Sequence, residues 1–167
     1  MAGGDFLQFG ESGNPLDSSG PLSLEIPIHQ TIMLARSAGA ILHTQSIWST
    51  VLSELYGNAG GITLDGFQIL KSLSRPKTKQ RQEWLPILDN LDHSATLARM
   101  VGLSLQTHPE IHGVLIRKRG LYIWGAQIDE AMRHVEVFEF LFEVLARQLH
   151  IVSQIGLDQS QAKQAYS

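Results

Sequence analysis

The stretch GAILHTQSIWSTVLSEL, from Gly39 to Leu55, decides the fold. Its first part, Ala40 to His43, is a short apolar run set off by Ser37 and Gly39, the pattern of a strand entered from a turn. From Ser46 to Tyr56 the apolar residues Ile47, Val51 and Leu55 recur every four positions, the spacing of one helix face. A strand that feeds directly into a helix is the unit of mixed α/β architecture.

The rest of the chain repeats this alternation. Upstream, Phe6 to Phe9 is a short β-like run followed by a Gly/Asn/Pro/Ser segment that reads as turns. Glu25 to Arg36 has Ile28, Ile32 and Ala35 at helical spacing, with Pro27 suited to a first helical turn. Downstream, a Gly-rich turn at Gly57 to Gly61 leads to a short helix over Gly66 to Leu73 and a strand over Trp84 to Leu88. Asp89 or Asn90 is placed to cap a helix through Leu91 to Leu105, with Leu97, Val101 and Leu105 on one face and His108-Pro109 as its stop. Val114 to Ile116 and Leu121 to Trp124 read as two strands joined by a tight turn through Lys118, Arg119 and Gly120. Gln127 to His150 is a long helix in which Ile128, Ala131, Val135, Phe138, Phe142, Leu145 and Leu149 alternate steps of three and four. A second set, Val137, Leu141 and Val144, widens that apolar face, which points to packing on a sheet and on another subunit. Residues 1–150 are expected to form one domain and residues 151–167 a polar tail, and no internal repeat interrupts the pattern.

Composition narrows the function classes. With 167 residues, 43% hydrophobic and 17% charged, the chain can bury a core of its own. No apolar stretch reaches the ~18 residues needed to cross a bilayer, and the start carries no secretory pattern, so a cytoplasmic location and no membrane partner are expected. A net charge of −3 gives no general attraction to nucleic acid. The one basic run, Arg75, Lys77, Lys79 and Arg81, contains Pro76, lacks interleaved aromatics and reads as a solvated loop. With no cysteine, thiolate chemistry is excluded, and any metal centre rests on seven histidines with Asp and Glu.

Candidate chemistry sits in three places. His43-Thr44-Gln45 follows a strand, where side chains project into a crevice; residues two apart share a face, but Gln45 is a poor zinc ligand, so His43 is either a packed imidazole or a ligand. Lys118 and Arg119 are cations between apolar strands, suited to an ion pair or to an anion. Glu25 and His29, four apart, share a helix face as an ordinary pair or as members of a site. Asp65 stands at a predicted helix start as a cap, with Gln68 close by. The other histidines, His93, His108, His112, His134 and His150, form no pair on one helix face: His108 and His112 are four apart, but Pro109 stands between them.

Taken together, GAILHTQSIWSTVLSEL, WLPILDNLDHSATLARMV, GVLIRKRGLYIWG and EAMRHVEVFEFLFEVL resemble, in order and spacing, the methylthioribulose-1-phosphate dehydratases of the class II aldolase and adducin superfamily. The likeness runs from about Gly4 to Leu149, and its most specific pieces are the LHT segment, the LYIWG strand and the HVEVFEFLFE helix. The resemblance implies a three-layer α/β/α fold with a mostly antiparallel central sheet and a tetrameric assembly. It also implies a zinc held by three histidines, used to dehydrate a ketose phosphate in methionine salvage.

Carried over residue by residue, the family's His-x-His falls on His43 and Gln45, its third histidine on Arg119 and its acid/base glutamate on Gln68. Three of these four positions are changed. Gln68 cannot exchange a proton as a carboxylate does, and Arg119 puts a permanent cation where a dication would bind. The family's longer amino-terminal part, with a Ser-Gly-Asn phosphate-binding stretch, is expected to be missing, and the local Gly13-Asn14 is not taken for it.

These departures imply a degenerate member without zinc or lyase activity, acting as a binding or scaffold subunit, either a homo-oligomer or a heteromer whose partner supplies the missing part. The alternative is an active enzyme, either a dehydratase of the family or one repurposed for metal-free chemistry on a small carbonyl or sugar-phosphate substrate. In the metal-free case His43 would be the base and Arg119 the electrostatic stabiliser, with Lys118 and Glu25 in contact with substrate.

Overall fold

The computed structural model describes residues 25–73 and 82–154, together with Gln8 and Gly10. The expected run Phe6 to Phe9 apart from Gln8, the Gly13-Asn14 turn, the basic run Arg75 to Arg81 and the tail beyond Gln154 lie outside the described residues.

The chain order is α1 (Ile26–Arg36), β1 (Ala40–Thr44), α2 (Ile47–Tyr56), β2 (Gly61–Asp65), β3 (Gln82–Leu88), α3 (Ser94–Thr107), β4 (Gly113–Ile116), β5 (Gly120–Gly125) and α4 (Ile128–Gln154), with short 3₁₀ segments at Gly57–Ala59 and Gln68–Ser72. The strands form one sheet in the order β1-β5-β4-β3-β2. It is mixed rather than the mostly antiparallel sheet expected: β3 and β4 run parallel, while β1/β5, β4/β5 and β2/β3 are antiparallel. The reason is α3, which lies between β3 and β4 and returns the chain to the same end of the sheet, as a parallel pair requires.

Side chains along β4 and β5 alternate between two cores, as a period of two demands. Val114, Ile116, Tyr122 and Trp124 pack with Ile28 and Ile32 of α1 and Leu97, Val101 and Leu105 of α3. Leu115, Leu121 and Ile123 pack with Leu52 of α2 and Val137, Phe138, Leu141 and Phe142 of α4. Every residue of β4 and β5 is buried, so helices cover the middle of the sheet on both faces.

α2 forms where its spacing places it but presents the opposite face. Ile47, Val51 and Leu55 are 76%, 41% and 61% exposed, and the buried positions are Ser49, Leu52 and Ser53. The burial is tolerable because each serine hydroxyl is satisfied within the helix: Ser49 Oγ donates to the Ser46 carbonyl at 3.0 Å and Ser53 Oγ to the Thr50 carbonyl at 2.7 Å. Leu52 packs with α4, Ser53 Oγ also accepts from the Lys118 N–H at 3.2 Å, and the larger aliphatic set is turned outward. Ser46 and Ser49 close a reciprocal capping box, which fixes where α2 starts.

Further differences are local. β2 falls where the sequence reads only turn and helix; Ile62 and Leu64 are buried while Thr63 and Asp65 are exposed, so Asp65 ends a strand and Phe67, not Asp65, precedes the 3₁₀ segment. α3 starts at Ser94 behind His93, later than the Asp89 or Asn90 cap expected. α4 runs four residues further than read, to Gln154.

Along α4, Phe138 and Phe142 are fully buried and Phe140 is 51% exposed. Phe138→Ala is therefore expected to lower the unfolding free energy by about 3–5 kcal/mol, as for other buried aromatic truncations. Phe140→Ala, two residues away on the outer face, should cost less than about 1 kcal/mol in urea denaturation of the same protein.

Candidate functional site

The β1/β5 register sets His43 directly opposite Tyr122. Their rings stack at 4.3 Å between centroids and 5° between planes, and His29 of α1 meets Tyr122 edge-on at 5.6 Å. Glu25, the residue before α1, brings its carboxylate to the same point. His43 Nδ1 lies 2.9 Å from Glu25 Oε2, and His43 Nε2 lies 3.0 Å from the Arg119 carbonyl oxygen. Arg119 closes the ring from the β4–β5 turn, with its Nε 3.7 Å from Glu25 Oε1 and its Nη1 donating to Asn90 Oδ1 at 3.3 Å. One carboxylate thus bridges an imidazole and a guanidinium, all three only partly exposed.

The turn that carries Arg119 has unusual backbone on both sides. Lys118 has φ 56° and Gly120 φ 130°. At Gly120 the requirement for glycine is double: the conformation disfavours a side chain, and a Cβ there would run into the Thr44 carbonyl and stand 2.8 Å from His43 Nε2. The Lys118 ammonium turns away from the centre to Glu54 Oε2 at 2.9 Å, and Arg117 pairs with Glu54 and Asp89.

The structure therefore brings together His43, Glu25 and Arg119 of the residues singled out in the sequence. Gln45 is exposed, and its amide nitrogen reaches the Lys118 carbonyl at a long 3.4 Å. Gln68 is exposed at the head of the 3₁₀ segment after β2, on the opposite edge of the sheet from β1, and makes no hydrogen bond to His43, Glu25 or Arg119 among the described residues. Glu25 and His29 meet through the backbone, the His29 Nδ1–H donating to the Glu25 carbonyl at 3.0 Å, and not through the carboxylate. Tyr122 was not singled out from sequence, and Asn90 was read only as a helix cap. Tyr122 carried a signal, since its position in LYIWG lies across a strand pair from the LHT histidine, but the register that shows it is a tertiary fact.

Electrostatics follow from burial. The Tyr122 phenol is pushed far above its ordinary value, first by burial and then by the Glu25 carboxylate, so it stays protonated. Burial also lowers the His29 imidazole, opposed in part by its hydrogen bond to Glu25.

The donor set does not fit a zinc ion. Both nitrogens of His43 face protein oxygens, the Glu25 carboxylate and the Arg119 carbonyl; Gln45 offers an amide; and Arg119 contributes a cation. No group of three or more His, Asp or Glu side chains among the described residues is placed to hold a metal.

Because His29 has a folded-state value below its ordinary 6.5, the unfolded chain takes up the proton first on acidification. The contribution of neutral His29 is complete above about pH 6.5 and is lost below it, at up to about 1.4 kcal/mol per pH unit, until the lowered value is passed. The urea midpoint should fall between about pH 7.5 and 5.5, and His29→Leu should flatten that slope without abolishing it, because the buried His134 shifts in the same direction. Gly120→Ala should cost about 3 kcal/mol or more and displace the His43 ring signals in NMR.

Comparison with known proteins agrees with the fold. Residues 1–146 match the model of the class II aldolase and adducin N-terminal domain. The methylthioribulose-1-phosphate dehydratase of Pseudomonas syringae pv. syringae is 41% identical over 140 residues, which are 83% of this chain and 68% of that protein. That of Marinobacter nauticus is 35% identical over 144 residues, 86% of this chain and 69% of that protein. Among solved structures, YgbL of Klebsiella pneumoniae, titled a putative aldolase/epimerase/decarboxylase, superposes with a TM-score of 0.62 at 20% identity over 80% of this chain and 60% of that one. The l-fuculose-1-phosphate aldolase of Thermus thermophilus gives 0.56 at 20% identity over 86% and 70%. The structural likenesses establish a class II aldolase-like α/β fold, and the family match with the sequence identities goes further: this chain belongs to the class II aldolase and adducin N-terminal domain family, among the relatives of methylthioribulose-1-phosphate dehydratase.

Proposed function

We propose that the chain is a degenerate relative of methylthioribulose-1-phosphate dehydratase, without zinc and without zinc-dependent lyase activity, acting as a binding or scaffold subunit. The observation that carries this reading is the closed His43–Glu25–Arg119 ring, in which the one retained histidine has both nitrogens engaged by oxygen acceptors and a guanidinium supplies the positive charge. A cation already in place opposes a divalent ion by like charge at short range, and Gln45 and Gln68 supply neither a metal-binding imidazole nor a proton-transfer carboxylate.

The same reading takes residues 1–150 as one domain in the three-layer α/β/α arrangement, supported by the two cores on alternate sides of β4 and β5. It places the protein in the cytoplasm; among the described residues no helix is long and apolar enough to cross a membrane. A homo-oligomer, a tetramer by resemblance, or a heteromer is supported by the aliphatic stripe Ile47, Val51 and Leu55 on the outside of α2 and by Phe140 on the outside of α4.

A second reading, metal-free chemistry on a small carbonyl or sugar-phosphate substrate, is favoured by the Arg119 guanidinium itself, which can stabilise an enolate or a phosphate. Here His43 would exchange the proton once Glu25 released it, and Lys118 would leave Glu54 to meet substrate.

Purified without chelator, the protein is expected to hold no stoichiometric zinc and to leave methylthioribulose 1-phosphate unchanged with or without added zinc. Zinc-dependent turnover would overturn the first reading. Turnover indifferent to zinc and abolished by Arg119→Ala would replace it with the second. The triple change Gln45→His, Gln68→Glu and Arg119→His should gain about one zinc per chain by elemental analysis, since it restores three imidazole ligands. Native mass measurement should show an oligomer or heteromer, and a clean monomer would count against the scaffold role.

A further inference from the structure

A second polar cluster lies at the other end of β5. Its Trp124 is two residues along the strand from the His43 partner Tyr122, roughly 7 Å at the ordinary strand rise. Here Arg36, Leu73, His112, Trp124, Glu130 and His134 line a cleft of about 450 Å³, within the range of small-molecule sites. None of these residues takes part in the His43 ring.

The hydrogen bonds within the cluster fix what each group can offer. His134 is 3% exposed; its Nδ1–H donates to the Trp124 carbonyl at 2.9 Å, and burial keeps the ring neutral, so Nε2 is an acceptor. That Nε2 is buried and has no partner among the described residues. His112 Nδ1–H donates to the Glu83 carboxylate at 3.2 Å, and its backbone N–H donates to Glu83 Oε1 at 2.8 Å, which fixes the ring beside the cleft. Its ring lies 5.2 Å from that of His134. Arg36 is tied by Nη2 to the carbonyls of Leu105 and His108 and lies 5.6 Å from the Trp124 ring, while its Nε–H is buried and unpartnered. Glu130 accepts from the Ala126 N–H and faces Arg133 at 3.8 Å, so its charge is turned to other partners. Two orphaned buried polar atoms of opposite hydrogen-bonding sense, on two residues that line one cleft, are a departure from the near-complete pairing of buried donors and acceptors.

We propose that this cleft is a second binding site, separate from the His43 centre, for a small hydroxycarboxylate. The carboxylate meets the Arg36 Nε–H, one hydroxyl group donates to the buried His134 Nε2, a second reaches the His112 ring, and the carbon chain lies against Leu73 and Trp124. A ligand lacking either group leaves one orphan unanswered.

The test is titration calorimetry of the full chain with glycerate, against glycerol, which has the hydroxyls alone, and propionate, which has the carboxylate alone. Glycerate should bind saturably and at least about tenfold more tightly than either control. His134→Phe, which removes the acceptor at similar volume, should weaken glycerate about tenfold or more, while Arg119→Ala should leave it unchanged. If His134→Phe melts below the assay temperature, Arg36→Gln carries the same expectation from the other side of the cleft. The proposal is overturned if glycerate shows no saturable binding, as when the orphans are met by water alone. Equal binding of glycerol or propionate overturns it too, as does loss of binding in Arg119→Ala with His134→Phe unaffected. None of these outcomes depends on whether the His43 centre is catalytic.

Discussion

The structure depends on β5 being held between β1 and β4 with no residue left to solvent. All six of its positions are buried, its even and odd side chains enter different cores, and its two neighbours pair with it along its length. A strand in that position has one tolerable register, since a slip of one residue would exchange Leu121 and Ile123 with Tyr122 and Trp124 between cores of different shape. The His43 centre is a by-product of this register: the pairing that fills the cores also lays the imidazole on the phenol.

How much of this was legible in the sequence varied with the kind of signal. The long α4 stripe and the Leu97, Val101, Leu105 spacing of α3 could be read directly because one apolar set dominated each helix. α2 misled because two faces share the four-residue period, and the aliphatic one looked like the core; internal hydroxyl bonding, invisible in composition, let Ser49 and Ser53 be buried instead. β2 was hidden behind glycines at its entrance, and its single buried pair, Ile62 and Leu64, is too short a pattern to outvote a turn. The parallel β3/β4 pair depends on where a crossover lands, which no local pattern encodes.

The centre divides in the same way. His43 and Arg119 were visible from their positions in the LHT and RKRG segments, and Glu25 as a charged residue at a helix start. That these three form one hydrogen-bonded ring required sequence separations of 18 and 76 residues to be closed. Gln68, expected at the family's acid/base position, lies across the sheet, exposed. His112 and His134 looked scattered, and only the fold sets them ring against ring. Charge helps hold the ring: the Glu25 carboxylate faces the Arg119 guanidinium and meets the His43 imidazole in a setting less screened than open water.

The turn between β4 and β5 separates two duties that most turns combine. Lys118 and Gly120 carry the left-handed backbone, and Arg119 between them is free of it. Position 119 can therefore be rewritten from one side chain to another with the hairpin's path unchanged. A fold with such a socket can drift in chemistry over evolutionary time, losing one activity and being recruited to another, while natural selection on the scaffold goes on undisturbed.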